Sequence, residues 1–137
     1  MHKQHFVLQI ALRGVPVPPL NYRGKAKIIA TRVLKLSEAD GDVDIAIRLF
    51  APEAANDAWW CQYEVDWPEG RHQMKAWGTD AIQAIVLALQ MIGAELYTSS
   101  YHKSGKLRLD TPGRGYGFPV PAGIRHLLEG DDATYGA

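Results

Sequence analysis

Residues 78–97 read GTDAIQAIVLALQMIGAELY, the strongest helical signal in the chain. It constrains the fold because it is apolar on more than one side, and each apolar side of a helix needs a cover. Asp80 is placed to cap its start, and Gln83, three residues on, completes a capping box. Ile82, Ile85, Val86, Leu89, Ile92 and Leu96 follow the three-and-four spacing of a core-facing stripe. Ala84, Leu87, Ala88 and Met91 form a second apolar stripe beside it. Burying Leu87 and Met91 contributes roughly 1.5–3 kcal/mol each, so this second stripe also asks for a cover. The candidates are the chain's own ends, a second copy of the protein, or a foreign partner or ligand. Ala84 and Ala88 are small enough to let two helices approach about a two-fold axis. Gly93 costs about 1 kcal/mol relative to alanine mid-helix and suggests a close backbone approach there.

Upstream of the helix the apolar period changes to two. In residues 42–50, Val43, Ile45, Ile47 and Leu49 alternate with Asp42, Asp44, Ala46 and Arg48. In residues 58–67, one face carries Trp59, Cys61, Tyr63, Val65 and Trp67, and the other Trp60, Gln62, Glu64 and Asp66. EADGD and PEG are turns, and residues 71–77 return as a strand on which Arg71 and Lys75 face Glu64 and Asp66. Residues 27–36 read as a strand whose inward face is ambiguous, and residues 5–13 as another, with Phe6, Leu8, Ile10 and Leu12 on one side. Between those two, GVPVPPLNYRG is an extended arm. After the helix come a short strand at 106–109 and a glycine-rich loop. Pro121 then opens a helical turn with Ile124, Leu127 and Leu128 on one side, ended by Gly130. The tail DDATYGA is expected to be disordered.

The expected fold is therefore α+β: an antiparallel meander of four to five strands with one long helix packed across one face. Three regions follow: residues 1–26 as a strand and proline-rich arm, 27–121 as the core domain, and 122–137 as a short helix and tail.

The 137 residues suit one ordinary domain, and 47% apolar with 22% charged residues suits a globular one. Fifteen basic residues balance fifteen acidic ones and are mixed along the chain, so a nucleic-acid partner is not expected. The longest apolar stretch is broken by Gln83, Gln90 and Glu95, so no membrane span is expected, and no secretory leader either. A single cysteine, Cys61, fits a reducing compartment; the expected location is cytoplasmic.

No catalytic, cofactor-binding or metal-ligating residue is assigned. His2, His5, His72, His102 and His126 have no zinc spacing with the cysteine, and Cys61 falls on the apolar face of its strand, as a core residue does. GRGYG at 113–117 is neither a Walker loop nor a dinucleotide turn, because a Phe-Pro-Val-Pro segment follows it where a helix is needed. The candidate interaction surface has two parts. On the sheet face away from the helix it is Arg48, Phe50, Trp60 and Trp77, joined by Arg32, because exposed tryptophan and arginine make binding hot spots. On the helix it is Ala84, Leu87, Ala88 and Met91.

The runs W-x-C-x-Y at 59–63, G-x-D-A-x-Q-A at 78–84 and LALQMIGAELYTS at 87–99 resemble a family of small bacterial proteins of unknown function. SGKLR at 104–108, GFPVP at 117–121 and ATR at 30–32 resemble it too, so the resemblance spans roughly residues 27–121. The first 25 residues look like an addition. The resemblance implies a bacterial, cytoplasmic, single-domain α+β protein and assigns no activity, cofactor or catalytic residue. The expected role is a non-enzymatic protein-interaction or accessory module, homodimeric or bound to another protein. The alternatives are an immunity or antitoxin-like protein that neutralises a neighbouring toxin, and a small-molecule binder or enzyme with a pocket between the sheet and the GRGYGFP loop.

Overall fold

A computed structural model describes residues 27–136. The strand expected over 5–13 and the proline-rich arm after it lie outside the described residues. The chain runs β1 (Ile28–Glu38), β2 (Gly41–Phe50), β3 (Glu53–Ala55), β4 (Ala58–Trp67) and β5 (Gly70–Gly78), then α1 (Ala81–Tyr97) and α2 (Ser100–Lys103). A two-residue β6 (Leu107–Arg108), a 3-10 turn (Ala122–Leu127) and α3 (Gly130–Tyr135) complete it. The fold is α+β, an antiparallel sheet crossed by one long helix, as its patterning predicts.

β1 and β2 form a tight hairpin closed by Glu38 opposite Gly41. β4 and β5 form a second, with Trp67 opposite Gly70. β2 and β3 share one edge of β4. Leu49 stands opposite Tyr63 and Glu53 opposite Trp60, so the register slips by one residue across Ala51 and Pro52. Proline has no N–H for the ladder, which makes this the natural place for the slip. β6 pairs only with the end of β1, at Lys35 and Leu36.

α1 is capped by the Asp80 side chain, which accepts from the Gln83 N–H at 2.8 Å. The Gln83 side chain reaches back to accept from the Thr79 N–H at 2.7 Å, one residue before the expected partner. α1 packs on β4 and β5. Its facing corrects part of the sequence-based expectation: Ile92 and Leu96 face the core as expected, and Ile82 and Val86 do not. Ala84, Ala88, Ile92 and Leu96 are fully buried, whereas Ile82 is 69% exposed and Val86 43%. The reason is volume. The sheet presents Tyr63, Val65, Trp67 and Met74 to the helix, and close packing then requires small side chains on the helix side. The alanines let α1 settle onto those large residues, and the branched Ile82 and Val86 turn outward.

Residues 107–120 cover the part of the sheet that α1 does not: Leu107, Tyr116, Phe118 and Val120 join Leu34, Leu36 and Ile45 in the core. Gly93 marks where this segment meets the helix. A Cβ on Gly93 would stand 1.9 Å from Pro119 O. The tail expected to be disordered forms α3, and Gly130, expected to end a helix, begins one. Among the described residues no helix is long and apolar enough to cross a membrane.

Candidate functional site

The first half of β1 has no strand beside it on the edge away from β2 among the described residues. Ser37 donates its N–H to Lys106 O on that edge. The alternation of a strand then points the N–H and C=O of Val33 and Thr31 to the same side. Every residue from 27 to 33 is exposed, including Ile28, Ile29 and Val33 at 42, 47 and 41%. A long apolar edge without a partner is uncommon in soluble proteins, which blunt such edges with charge, proline or a covering segment.

Beneath this edge lies a groove of about 280 Å³. Ala30, Thr31 and Arg32 form its rim, Ile47 and Leu49 its floor, and Leu89, Ile92 and Phe118 its far wall. The groove exists because α1 sits over β4 and β5 and leaves this corner of the β1–β2 hairpin uncovered. Arg32 marks its polar side. Its guanidinium donates to Tyr116 O at 3.0 Å and Gly117 O at 3.1 Å, and lies 5.0 Å from the centre of the Phe118 ring. Gly117, at φ 81°, is needed here, since a Cβ would stand 2.4 Å from Arg32 Nη1. Among the described residues Arg32 has no carboxylate partner. From Leu89 the apolar surface continues along α1 to Val86 and Ile82, at helical spacing.

Of the residues singled out from the sequence, Arg32 lies at the groove and the others sit elsewhere. On the sheet, Phe50 and Trp60 are buried, and Arg48 and Trp77 are partly buried. Arg48 pairs with Asp66 at 2.9 Å and Glu64 at 3.4 Å, in a network with Arg71 and Gln73. Arg71, and then Arg48, hold the Asp66 carboxyl down at about 2. Trp60 and Trp77 lie 6.4 Å apart, and Lys75 Nζ sits 4.0 Å from the centre of the Trp60 ring. On the helix, Ala84 and Ala88 are fully buried against the sheet, and Leu87 and Met91 are partly buried. In this chain alone the two groups do not meet in one open surface. The sequence points to the loop wall of the groove but not to its β1 rim or its α1 flank. The signal for them was the run IIATRV in β1, which lacks the in-out alternation of the other strands.

Two carboxylates, the partly buried Glu95 and the buried Asp132, have structural surroundings. Glu95 accepts from Tyr63 Oη at 2.8 Å and Trp67 Nε1 at 2.6 Å, and pairs with His72 Nδ1 at 2.7 Å, tying α1 to β4 and β5. Asp132 accepts from Tyr97 Oη and from the N–H groups of Tyr116 and Gly117. The GRGYG loop is thus an anion cradle, and the anion it holds is the chain's own carboxylate. A Cβ on Gly115 would stand 2.5 Å from Asp132 Cγ, which explains that glycine. Arg114 pairs with Asp131 at 2.8 Å.

A family model described as a domain of unknown function, DUF6968, matches residues 30–120. The chain belongs to this family. Comparison with curated proteins finds no match, and comparison with solved structures finds none either. Every residue that lines the groove falls within the DUF6968 match, whereas α3 with Asp132 lies beyond it.

Proposed function

We propose that this DUF6968 chain is a non-enzymatic protein-interaction module that docks a partner on the open corner of its sheet. One observation carries the reading: exposed Ile28, Ile29 and Val33 lie along an open strand edge, the groove lies beneath that edge on the inward face, and exposed Val86 and Ile82 flank it on α1. Scattered exposed apolar residues are ordinary, but an open apolar strand edge beside an apolar groove is where a partner docks. The saturated surroundings of Glu95 and Asp132 fit the same reading, because each carboxylate is spent on holding the fold.

A photo-crosslinking residue at position 86, incorporated in the protein's native cells, tests it. The expected result is a discrete adduct, identified by mass spectrometry, that is absent when the same residue replaces exposed Asp57. An adduct of twice the chain's mass makes the partner a second copy. No adduct at position 86 removes the reading.

A second reading has a specific observation behind it, since the groove lies between the sheet and Gly117, Phe118 and Pro119. A small apolar ligand with an anionic group would fit there against Arg32. Native mass spectrometry of freshly purified protein tests this: a retained mass lost in Leu89→Trp supports it, and a bare chain counts against it.

A further inference from the structure

We infer that the open β1 edge takes an added strand: an extended segment of another protein that carries an apolar side chain and, two residues along on the same face, a carboxylate. The inference rests on the interaction-module reading and specifies its partner. Three observations converge. The outward N–H and C=O groups of Thr31 and Val33 repeat at strand spacing, which a peptide in β conformation matches and a helix does not. Side chains of an added strand alternate between faces, so every second one projects toward the groove under the edge. There, Ile47, Leu49, Leu89 and Ile92 offer room for an aliphatic side chain beside Ala30.

The third observation is charge. The ionisable residues from 27 to 34 are Lys27 and Arg32, both cationic. Arg32 shares the inward face with Ala30 two positions away, and its guanidinium is held by backbone carbonyls without a carboxylate among the described residues. A carboxylate two residues from the groove-filling side chain therefore meets Arg32. Charge also selects against a second copy at this edge. Two β1 strands paired antiparallel through Thr31 and Val33 would set Arg32 opposite Arg32, and like charges at such a seam are destabilising.

The probe is the capped peptide acetyl-Thr-Val-Thr-Leu-Thr-Glu-Thr-amide, titrated into the isotope-labelled full chain. Shifts are expected at the Thr31 and Val33 amides and at the Leu89 and Ile92 methyls. Methylating alternate backbone nitrogens of the peptide should abolish binding in one phase and leave it in the other, which simple apolar adhesion does not do. Replacing the peptide's Glu by Lys, or Arg32→Ala in the protein, should each weaken binding roughly fivefold. Thr31→Pro removes an outward donor from an edge strand, where proline is tolerated, and should abolish binding in a folded protein. Absence of shifts at millimolar peptide, shifts elsewhere, or equal effects of the two methylation phases overturn the inference. So does a dimer that Thr31→Pro dissolves, or a cross-link showing residues 1–26 already paired along the edge. An adduct at position 86 with a silent peptide leaves the interaction reading standing without strand addition; silence in both removes both.

Discussion

Tyr97 donates its hydroxyl to Asp132 at 2.5 Å across 35 residues of chain, joining the last turn of the long helix to the last helix of the protein. Asp132 is 1% exposed and also accepts the Tyr116 and Gly117 N–H groups at 2.8 and 2.9 Å. Truncating it leaves two buried donors unsatisfied, the Tyr97 hydroxyl and the Tyr116 N–H, each costing roughly 1–3 kcal/mol, and frees the part-buried Gly117 N–H. Asp132→Ala is expected to lower the free energy of unfolding by about 3 kcal/mol, and Tyr97→Phe by about 1 kcal/mol. Urea unfolding of both variants and of the double variant checks this. The second substitution should cost little once the first is present, because the two groups share one bond.

Stability should pass through a maximum near roughly pH 9. Burial pushes Lys75 down to about 8, against the opposing pull of Glu53. From pH 8 to 10.5 the unfolded chain holds a proton on Lys75 that the folded chain has released. The Lys75 contribution to stability therefore rises with pH across that window, by about 2 kcal/mol. The Cys61 thiol, pushed up to about 12 by burial, and Tyr63, Tyr97 and Tyr116 act with the opposite sign. Burial foremost holds the tyrosine hydroxyls protonated in the folded chain above pH 10, where the unfolded chain ionises, so stability falls there. Lys75→Met should remove the rise and keep the fall, as read by urea unfolding from pH 7 to 11.

The strands and the helix were legible because their periods differ. Trp59, Cys61, Tyr63, Val65 and Trp67 alternate without interruption, and Asp80 with Gln83 sets the helix start. The facing of the helix was not legible. Ranking side chains by apolar size places Ile82 and Val86 inward, but the bulk of Tyr63, Trp67 and Met74 opposite reverses the ranking. That is a relation between two elements and is absent from either one alone. Asp132 in the GRGYG cradle is legible only once residues 115–117 and 132 are seen together, because acidic residues near a terminus ordinarily read as a solvated tail. The groove was half legible: its loop wall had been anticipated, whereas its β1 rim depends on which strand ends up at the edge.

Cys61 should be inert to thiol reagents until the protein unfolds. It is fully buried, its Sγ lies 3.3 Å from Phe50 O, and burial pushes its thiol up to about 12. Only the thiolate reacts, so at pH 8 both access and ionisation oppose modification. Labelling of the native protein by an aromatic disulfide reagent is expected to be at least roughly a thousandfold slower than in denaturant. It should also accelerate in step with the destabilisation caused by Asp132→Ala. Rapid native labelling would show that the β2–β4 junction opens locally.

The rotated facing of α1 makes opposite predictions for two positions six residues apart. Ile82, at 69% exposure, should accept lysine with a change in stability within about 0.5 kcal/mol. Ala88, at 0%, lies in the core cluster with Tyr63 and Met74, and Ala88→Leu inserts volume where none is available. Such overpacking costs about 1–3 kcal/mol. If the larger residues faced the core instead, Ile82→Lys would be the severe change and Ala88→Leu the mild one. Thermal and urea unfolding of the two variants therefore decide the orientation. The same Ile82→Lys protein separates stability from function: it should fold normally, yet lose most of the adduct formed through position 86, because Ile82 and Val86 lie one turn apart on the same exposed flank.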